Sequence, residues 1–359
     1  MHAPTRFARP KIRGVSTYTV LGFAGYTIAA IGVSLVAVAW HIGQGDRLAA
    51  EIAPPLAFLA VVAANRQHFG RERIVFYQTA SAAIVSAGLA SAAIGGEAAR
   101  VVDLATVGVG TFLVFGRAGC FAVACCHGRP ARHGVVYGDA HVAVGFWARW
   151  KGRTLWPTQL VEAAASGALV AVALAVGWDN PGVPALIYIV AYGYLRFALE
   201  LVRGDSARPY ALGLSEAQWT AIATLIACAA WRPGAITIAA AGGLAVAGGA
   251  LASTRDRRAL FLPPHLHELD RACRDAAADG GRHETSLGIA VSVHALPDAR
   301  HDWVLSSSSP RWSAAAARRL AAALWTAHDV VEGRLAGVVH VITPGSRDTN
   351  AAGAARSGT

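Results

Sequence analysis

The sequence predicts an all-α polytopic membrane protein of about seven to eight transmembrane helices, with a small soluble α/β module at its C-terminus. Three observations carry this. Hydrophobic residues make up 54% of the 359-residue chain and charged residues only 15%, whereas soluble domains carry about 25% charged residues. The apolar residues gather into runs of membrane-spanning length as far as Ser253. From Thr254 onward the composition becomes that of a water-soluble segment.

Apolar runs place spans near residues 15–41, 52–65, 74–94, 101–121, 158–177, 181–202, 214–231 and 234–252, after a basic tail over residues 1–14. The first run is followed by Trp40-His41-Ile42-Gly43, not by a small-x-small cleavage site, so it reads as a retained span. The second is short for a hydrocarbon layer of about 30 Å; it tilts, begins earlier, or only dips into the membrane. Trp231-Arg232-Pro233-Gly234 breaks the last pair and suits a tight helical hairpin. The bundle so defined covers residues 15–253 and the soluble α/β module residues 254–344. In the module, Ser286 to Val293 and Trp303 to Leu305 read as strands, and Trp312 to Val331 as a helix capped by Ser313. Val338 to Ile342 suits a buried strand, and the Gly/Ser/Ala-rich residues 345–359 read as a disordered tail.

The formal charge of +10 and pI near 9.9 raise the question of nucleic acid. The basic residues, however, lie in the N-terminal tail and in short loops flanking apolar runs, which points to anionic phospholipid and to no nucleic acid. The five cysteines, at 120, 125, 126, 228 and 273, form no secreted-type disulfide ladder. Cys120, Cys125 and Cys126 are close in sequence, but no second pair or suitable histidine follows at zinc-ligand spacing, so they read as small apolar residues ending a buried helix, with no metal expected.

Charged residues inside the apolar runs carry the functional signal. Each costs roughly 2.5–3.5 kcal/mol at the centre of a spanning helix and so marks a working site or a paired bundle interior. Tyr192, Arg196 and Glu200, spaced i, i+4, i+8, share one helix face. Arg117 sits within the apolar run Phe115 to Phe121, and Arg129 follows in Gly128-Arg129-Pro130. Guanidinium groups present a planar fork of donors suited to phosphate and remain ionised where water is scarce. Pro157 fits a first helical turn, leaving Gln159 and Glu162 in the first two turns of the next span.

Three blocks in this order resemble the prolipoprotein diacylglyceryl transferase family. They are Gly116-Arg117 with Gly128-Arg129-Pro130, Pro157-x-Gln159-Leu160-x-Glu162, and Tyr192-Gly193-x-x-Arg196-Phe197-x-x-Glu200-Leu201-x-Arg203; Leu214-Ser215-x-x-Gln218-Trp219 is similar to the start of the family's last helix. The resemblance implies a multi-pass protein of the bacterial inner membrane that moves the diacylglyceryl group of phosphatidylglycerol onto the lipobox cysteine of a prolipoprotein, with no cofactor. It implies that Arg117 and Arg196 clamp the phosphate with Glu200 among the catalytic groups, that Arg129 and Arg203 lie nearer the rim, that Glu162 and Glu200 orient the arginines, and that Gln159 and Tyr192 bind head-group or peptide atoms.

The chain also departs from the pattern. Phe76-Tyr77-Gln78-Thr79 stands where the family carries His-Gly-Gly, the family asparagine of the first block is Cys120, the acidic residue five positions later is Cys125, and the histidine before Pro157 is Trp156. A phenol titrating near 10 is a poor base at neutral pH. The alternative is therefore a non-catalytic lipid-binding membrane scaffold derived from the family. A small-anion or lipid transporter would also hold intramembrane charge, but no inverted repeat supports one. The basic tail and the Arg255-Asp256-Arg257-Arg258 segment satisfy the positive-inside rule with the N-terminus inside, whereas the resemblance implies an N-terminus outside.

Overall fold

The computed structural model describes residues 5, 7–70, 76–177, 179–206, 208–297 and 299–344. Arg6 and residues 345–359, the latter read above as a disordered tail, lie outside them. The chain forms two compact units that part at Ser253.

The first unit opens with a short antiparallel hairpin, β1 (Lys11–Ile12) with β2 (Val15–Ser16), and Ala8 just before it is buried. Four long helices follow: α1 (Thr17–Ala39), α2 (Gln44–Phe69), α3 (Phe76–Ala93) and α4 (Ala98–Ala122). Next comes a loop layer built from β3 (Pro130–Val136), the single turn α5 (Asp139–Val142) and β4 (Thr154–Leu155). The bundle resumes with α6 (Thr158–Val176) and α7 (Val183–Val202), then a hairpin of β5 (Tyr210–Ala211) and β6 (Leu214–Ser215), and ends with α8 (Glu216–Trp231) and α9 (Ala235–Ser253). Ser215 and Gln218 form a capping box at the start of α8, satisfying two otherwise orphaned N–H groups.

Six of these helices, α1, α2, α4, α6, α7 and α9, are long and apolar enough to cross a membrane. The expected seven to eight thus reduces to six by this measure. α8 has only 16 residues, and α3 carries Gln78, Thr79 and three serines in its 18. The second span, expected over 52–65, is a 26-residue helix that begins at Gln44. Asp46, Arg47 and Glu51 hid its first turns in the apolar pattern, and Pro54-Pro55 sits within it. Asp46 is buried and used, accepting hydrogen bonds from the Ser91 hydroxyl at 2.5 Å and the Glu97 N–H at 2.9 Å.

α4 is the axis of the unit, packing against α1, α3, α6 and α7. Its contact with α1 is close because Gly119 has no side chain: a Cβ there would lie 3.1 Å from the Tyr18 Cα. At the far end, Asp103 of α4, buried to 1% exposure, accepts from the backbone N–H groups of Gly182 at 2.7 Å and Ala185 at 2.9 Å. A carboxylate on a neighbouring helix thus caps the N-terminus of α7, where the macrodipole is positive. A second apolar core joins Leu113, Tyr188, Tyr192, Phe197 and Leu225 with α8 and α9.

The second unit holds α10 (Arg255–Arg258), α11 (Pro263–Asp279), α12 (Ala314–Leu324) and a five-stranded antiparallel sheet. Its strands are β7 (His283–Glu284), β8 (Ala290–Ala295), β9 (His301–Ser306), β10 (Asp329–Glu332) and β11 (Val338–Thr343), in the order β10-β11-β9-β8-β7. The strand expected over 286–293 starts at Ala290, because Gly288 adopts φ +73° and closes a turn in which its N–H donates to Thr285 O. The helix expected to run from Trp312 to Val331 ends at Leu324, and its last residues form β10 instead. Ser313 caps it, accepting from Ala316 N at 3.1 Å.

Candidate active site

Four helix ends meet in one polar cluster: the N-terminal turns of α3 and α6 and the C-terminal turns of α4 and α7. They contribute Tyr77, Glu162 with Gln159, Arg117, and Tyr192, Arg196 and Glu200, with Arg203 at the cap of α7. All are nearly closed off from solvent; Arg196 is 1% exposed and Glu162 2%. Charges this deep persist only when paired, and the pairing forms a chain. Glu162 is its hub. One oxygen lies 3.0 Å from Arg117 Nε, and the other lies 3.6 Å from Arg196 Nε and accepts the Tyr192 hydroxyl at 2.6 Å. Arg196 also pairs with Glu200 one turn on, and Glu200 lies 3.6 Å from Arg203 Nη1. Arg203 then grips Asp205 with two parallel bonds, Nε to Oδ1 at 2.8 Å and Nη2 to Oδ2 at 2.9 Å.

Arg129 belongs to the edge of this cluster and is half-buried. Its Nε donates to the Arg203 carbonyl at 2.9 Å, and its N–H donates to Val202 O at 2.9 Å. Gly128 lets the loop lie this close, since a Cβ there would run into the Trp156 carbonyl. Gln159 faces the other way: its amide donates to Cys125 O at 2.7 Å and to the Tyr137 hydroxyl at 3.3 Å. Gln159 and Tyr192, expected to meet head-group or peptide atoms, thus use their polar groups on the protein itself, Gln159 on the loop after α4 and Tyr192 on Glu162. Asp205 and Tyr137 were missed in the sequence because neither stands in an apolar run.

Four buried donors of the cluster have no hydrogen-bond partner among the described residues: Arg117 Nε, Arg196 Nη1 and Nη2, and the Tyr77 hydroxyl. Arg117 Nε and Arg196 Nη2 lie in ion pairs with Glu162 and Glu200, which leaves Arg196 Nη1 and the Tyr77 hydroxyl as the two without a carboxylate in the pairing chain. Tyr77 lies where the resemblance expects a histidine, and its ring centre is 6.3 Å from that of Tyr192. Phe76 beside it lies 5.8 Å from the Arg117 guanidinium, within cation–π range. On the loop side, His127 packs edge-on against Phe146 and Trp150. Burial holds its imidazole below its ordinary pKa, so it is neutral there at physiological pH. At the C-terminal end of α4, the sulfurs of Cys120, Cys125 and Cys126 lie within 4.8 Å of one another, a convergence that their sequence spacing did not predict.

Residues 74–233 match the family model for prolipoprotein diacylglyceryl transferase. Over that stretch the chain is similar to the prolipoprotein diacylglyceryl transferase family. The match includes Tyr77, Arg117, Glu162, Arg196 and Arg203, so the buried charge chain lies wholly within the transferase segment; α1, α2 and the C-terminal unit lie outside it. No curated protein and no solved structure matches the chain. The matched family is one of transferases acting on prolipoproteins, and the match together with the six long apolar helices points to a multi-pass membrane protein.

Proposed function

We propose that the protein moves the diacylglyceryl group of phosphatidylglycerol onto the lipobox cysteine thiol of a prolipoprotein, at the inner membrane of a bacterium and across seven to eight spans that include α3 and α8. In this reaction the thiol sulfur bonds to the glycerol carbon that carries the phosphate, the C–O bond breaks, and glycerol phosphate leaves with the electron pair while the thiol proton passes to base or solvent. The difficult requirement is to hold phosphate charge as that bond breaks, and preorganised guanidinium groups in a dry site meet it.

The observation that carries the proposal is Arg196 Nη1, a buried guanidinium nitrogen with no hydrogen-bond partner among the described residues, beside a phenol in the same condition. An orphaned cationic donor at this depth is costly unless a ligand satisfies it, and an anion with several oxygens is the natural match. Depth supports a lipid source. Glu162, Arg117 and Arg196 lie four, five and six residues inside their helix ends, roughly 6–9 Å at 1.5 Å per residue. That is the level of the head-group region in a bilayer whose polar layers add about 5–8 Å per side to the hydrocarbon core. Arg117, Arg196 and Glu200 are the groups assigned to phosphate and leaving-group charge, with Arg129 and Arg203 at the rim and Glu162 holding the arginines apart.

A second reading is favoured by Tyr77, which offers no base where the resemblance expects a histidine: the site binds the phospholipid without transfer. Purified full-length protein incubated with radiolabelled phosphatidylglycerol and a lipobox peptide separates the two. Label on the peptide supports transfer, and bound lipid with an unlabelled peptide supports binding alone. Arg196→Ala and Arg196→Lys, measured for lipid affinity and thermal stability together, test the phosphate site itself, since Lys keeps charge but loses the fork. Unchanged lipid affinity in a stable Arg196→Ala protein sinks both readings.

A further inference from the structure

Cys120 in the last turn of α4 and Cys125 and Cys126 just after it are held together by the fold. The helix ends at Ala122, and the chain then turns through two non-glycine residues in the left-handed region, Ala124 at φ +59° and Cys126 at φ +56°. Such residues cost about 1–3 kcal/mol each and persist where surrounding structure imposes them. Here the Cys125 N–H closes the helix end onto Cys120 O at 3.1 Å, while Thr158 donates to Cys126 O at 2.8 Å and Gln159 to Cys125 O at 2.7 Å. α6 therefore clamps the loop from the far side by both carbonyls. This leaves the two side chains turned back to Cys120.

The sulfur positions suit an ion. A metal bound at a metal–sulfur distance of about 2.3 Å separates its thiolates by roughly 3.8 Å in tetrahedral geometry and roughly 4.0 Å in trigonal geometry. The three Sγ atoms already lie within 4.8 Å, so shifts of about an ångström or less, of rotamer size, complete the set. The group contains no imidazole or carboxylate, and an all-thiolate set selects soft ions. Arg117 stands one turn before Cys120 on α4, on the same helix face, and offsets the negative charge of a trithiolate. An entry path exists as well: Cys125 lines an open cleft of about 270 Å³ with Lys11, Tyr18 and Val123.

We propose that Cys120, Cys125 and Cys126 form a trithiolate site for one thiophilic d10 metal ion, Zn(II) with a water in its fourth position or three-coordinate Cu(I). Each thiol that ligates releases its proton to solvent, and no oxidation is involved. The metal takes no part in any step of lipid transfer, although the site borders Arg117 of the proposed phosphate site.

The test uses full-length protein in detergent, kept reduced with a phosphine and loaded separately with Zn(II) and with Cu(I) against a chromophoric chelator. One ion per chain should remain after desalting, and it should be lost in Cys120→Ser, Cys125→Ser and Cys126→Ser but retained in Cys228→Ser, whose sulfur belongs to α8. Retention of only one of the two metals would assign the coordination number within the same proposal. Because a serine variant can misfold, the wild-type protein supplies a second measurement: bound metal should shield Cys125 and Cys126, the two part-exposed thiols, from a thiol reagent. The proposal is overturned if wild-type protein with all thiols reduced takes up no more metal than the triple serine variant, or if metal shields no thiol. Closure of two of the three thiols into a disulfide that re-forms against excess reductant, with no metal uptake, overturns it equally.

Discussion

Glu162→Gln is the substitution that tests the charge chain most directly. The carboxylate serves two guanidinium groups, at 3.0 Å from Arg117 Nε and 3.6 Å from Arg196 Nε. Unit charges about 4 Å apart attract by about 4 kcal/mol at an effective dielectric constant of 20, so the gross attraction lost is about 8 kcal/mol. Part of this is offset because a neutral amide is cheaper to bury than a carboxylate. The net cost of removing one partner from a buried pair is about 3–5 kcal/mol. Glutamine keeps an oxygen able to accept the Tyr192 hydroxyl, so shape and that hydrogen bond are retained while charge is removed. Unfolding in mixed micelles should show the variant destabilised by that amount. A double-mutant cycle with Arg117→Met should return a coupling of about 1 kcal/mol or more. If Glu162→Gln stays within about 0.5 kcal/mol of wild type and the coupling is indistinguishable from zero, the carboxylate does not hold the arginines and α4 meets α6 through apolar packing alone.

Asp103→Ala should cost about 2–4 kcal/mol in the same unfolding assay, because the N–H groups of Gly182 and Ala185 lose their charged acceptor; Asp103→Asn, which keeps one acceptor, should cost less. Gly119→Ala should lower the thermal midpoint, since its methyl group meets the Tyr18 backbone, whereas Gly116→Ala, with nothing within 4 Å of the added atom, should be neutral or slightly stabilising. His265 is buried, with Nδ1 2.8 Å from Leu260 O and Nε2 3.1 Å from the Thr285 hydroxyl, and burial holds it below its ordinary pKa. Its folded pKa is the lower one, so its contribution is complete above about pH 6.5 and is lost as pH falls from there through the folded value, by at most about 1.4 kcal/mol per unit. Hydrogen exchange of β8 and β9 in full-length protein should accelerate over that range, and His265→Gln should flatten the dependence.

The charged members of the candidate site were legible because each violates its surroundings. Arg117, Glu162, Arg196 and Glu200 stand in apolar runs where an unpaired charge is untenable, and helical spacing alone put Arg196 and Glu200 on one face. Their connectivity was not legible, because it depends on which helices adjoin: Glu162 reaches Arg117 across α4 and α6, and Asp103 caps a helix that begins 80 residues later in the chain. The cysteine cluster was hidden for a different reason. Ala124 and Cys126 have side chains that disfavour left-handed backbone, so nothing in their identity announces the turn that gathers the sulfurs. The start of α2 was obscured by three charges and a Pro-Pro pair, and α11 went unseen because its polar face and leading Pro263-Pro264 masked an amphipathic stripe of Leu266, Leu269, Cys273 and Ala276.

Counting charge across the cluster clarifies how such a site binds an anion at all. Arg117, Arg196 and Arg203 face Glu162, Glu200 and Asp205 in equal number, and Arg129 at the edge leaves one net positive charge. A phosphate therefore meets arginines that already have carboxylate partners. Affinity arises from the difference between the two sets of contacts, not from the sum of the phosphate's own. Arg196 is the exception, since Nη1 has no hydrogen-bond partner among the described residues, and this group gains on binding without giving one up. The others contribute only when the helix ends separate enough to exchange a carboxylate contact for a phosphate one. Such an exchange favours the state in which phosphate charge is greatest, which in the proposed reaction is the departing glycerol phosphate. A balanced, closed cluster thus binds the ground-state lipid modestly and the developing charge more strongly, and that difference, not tight lipid binding, is what accelerates transfer.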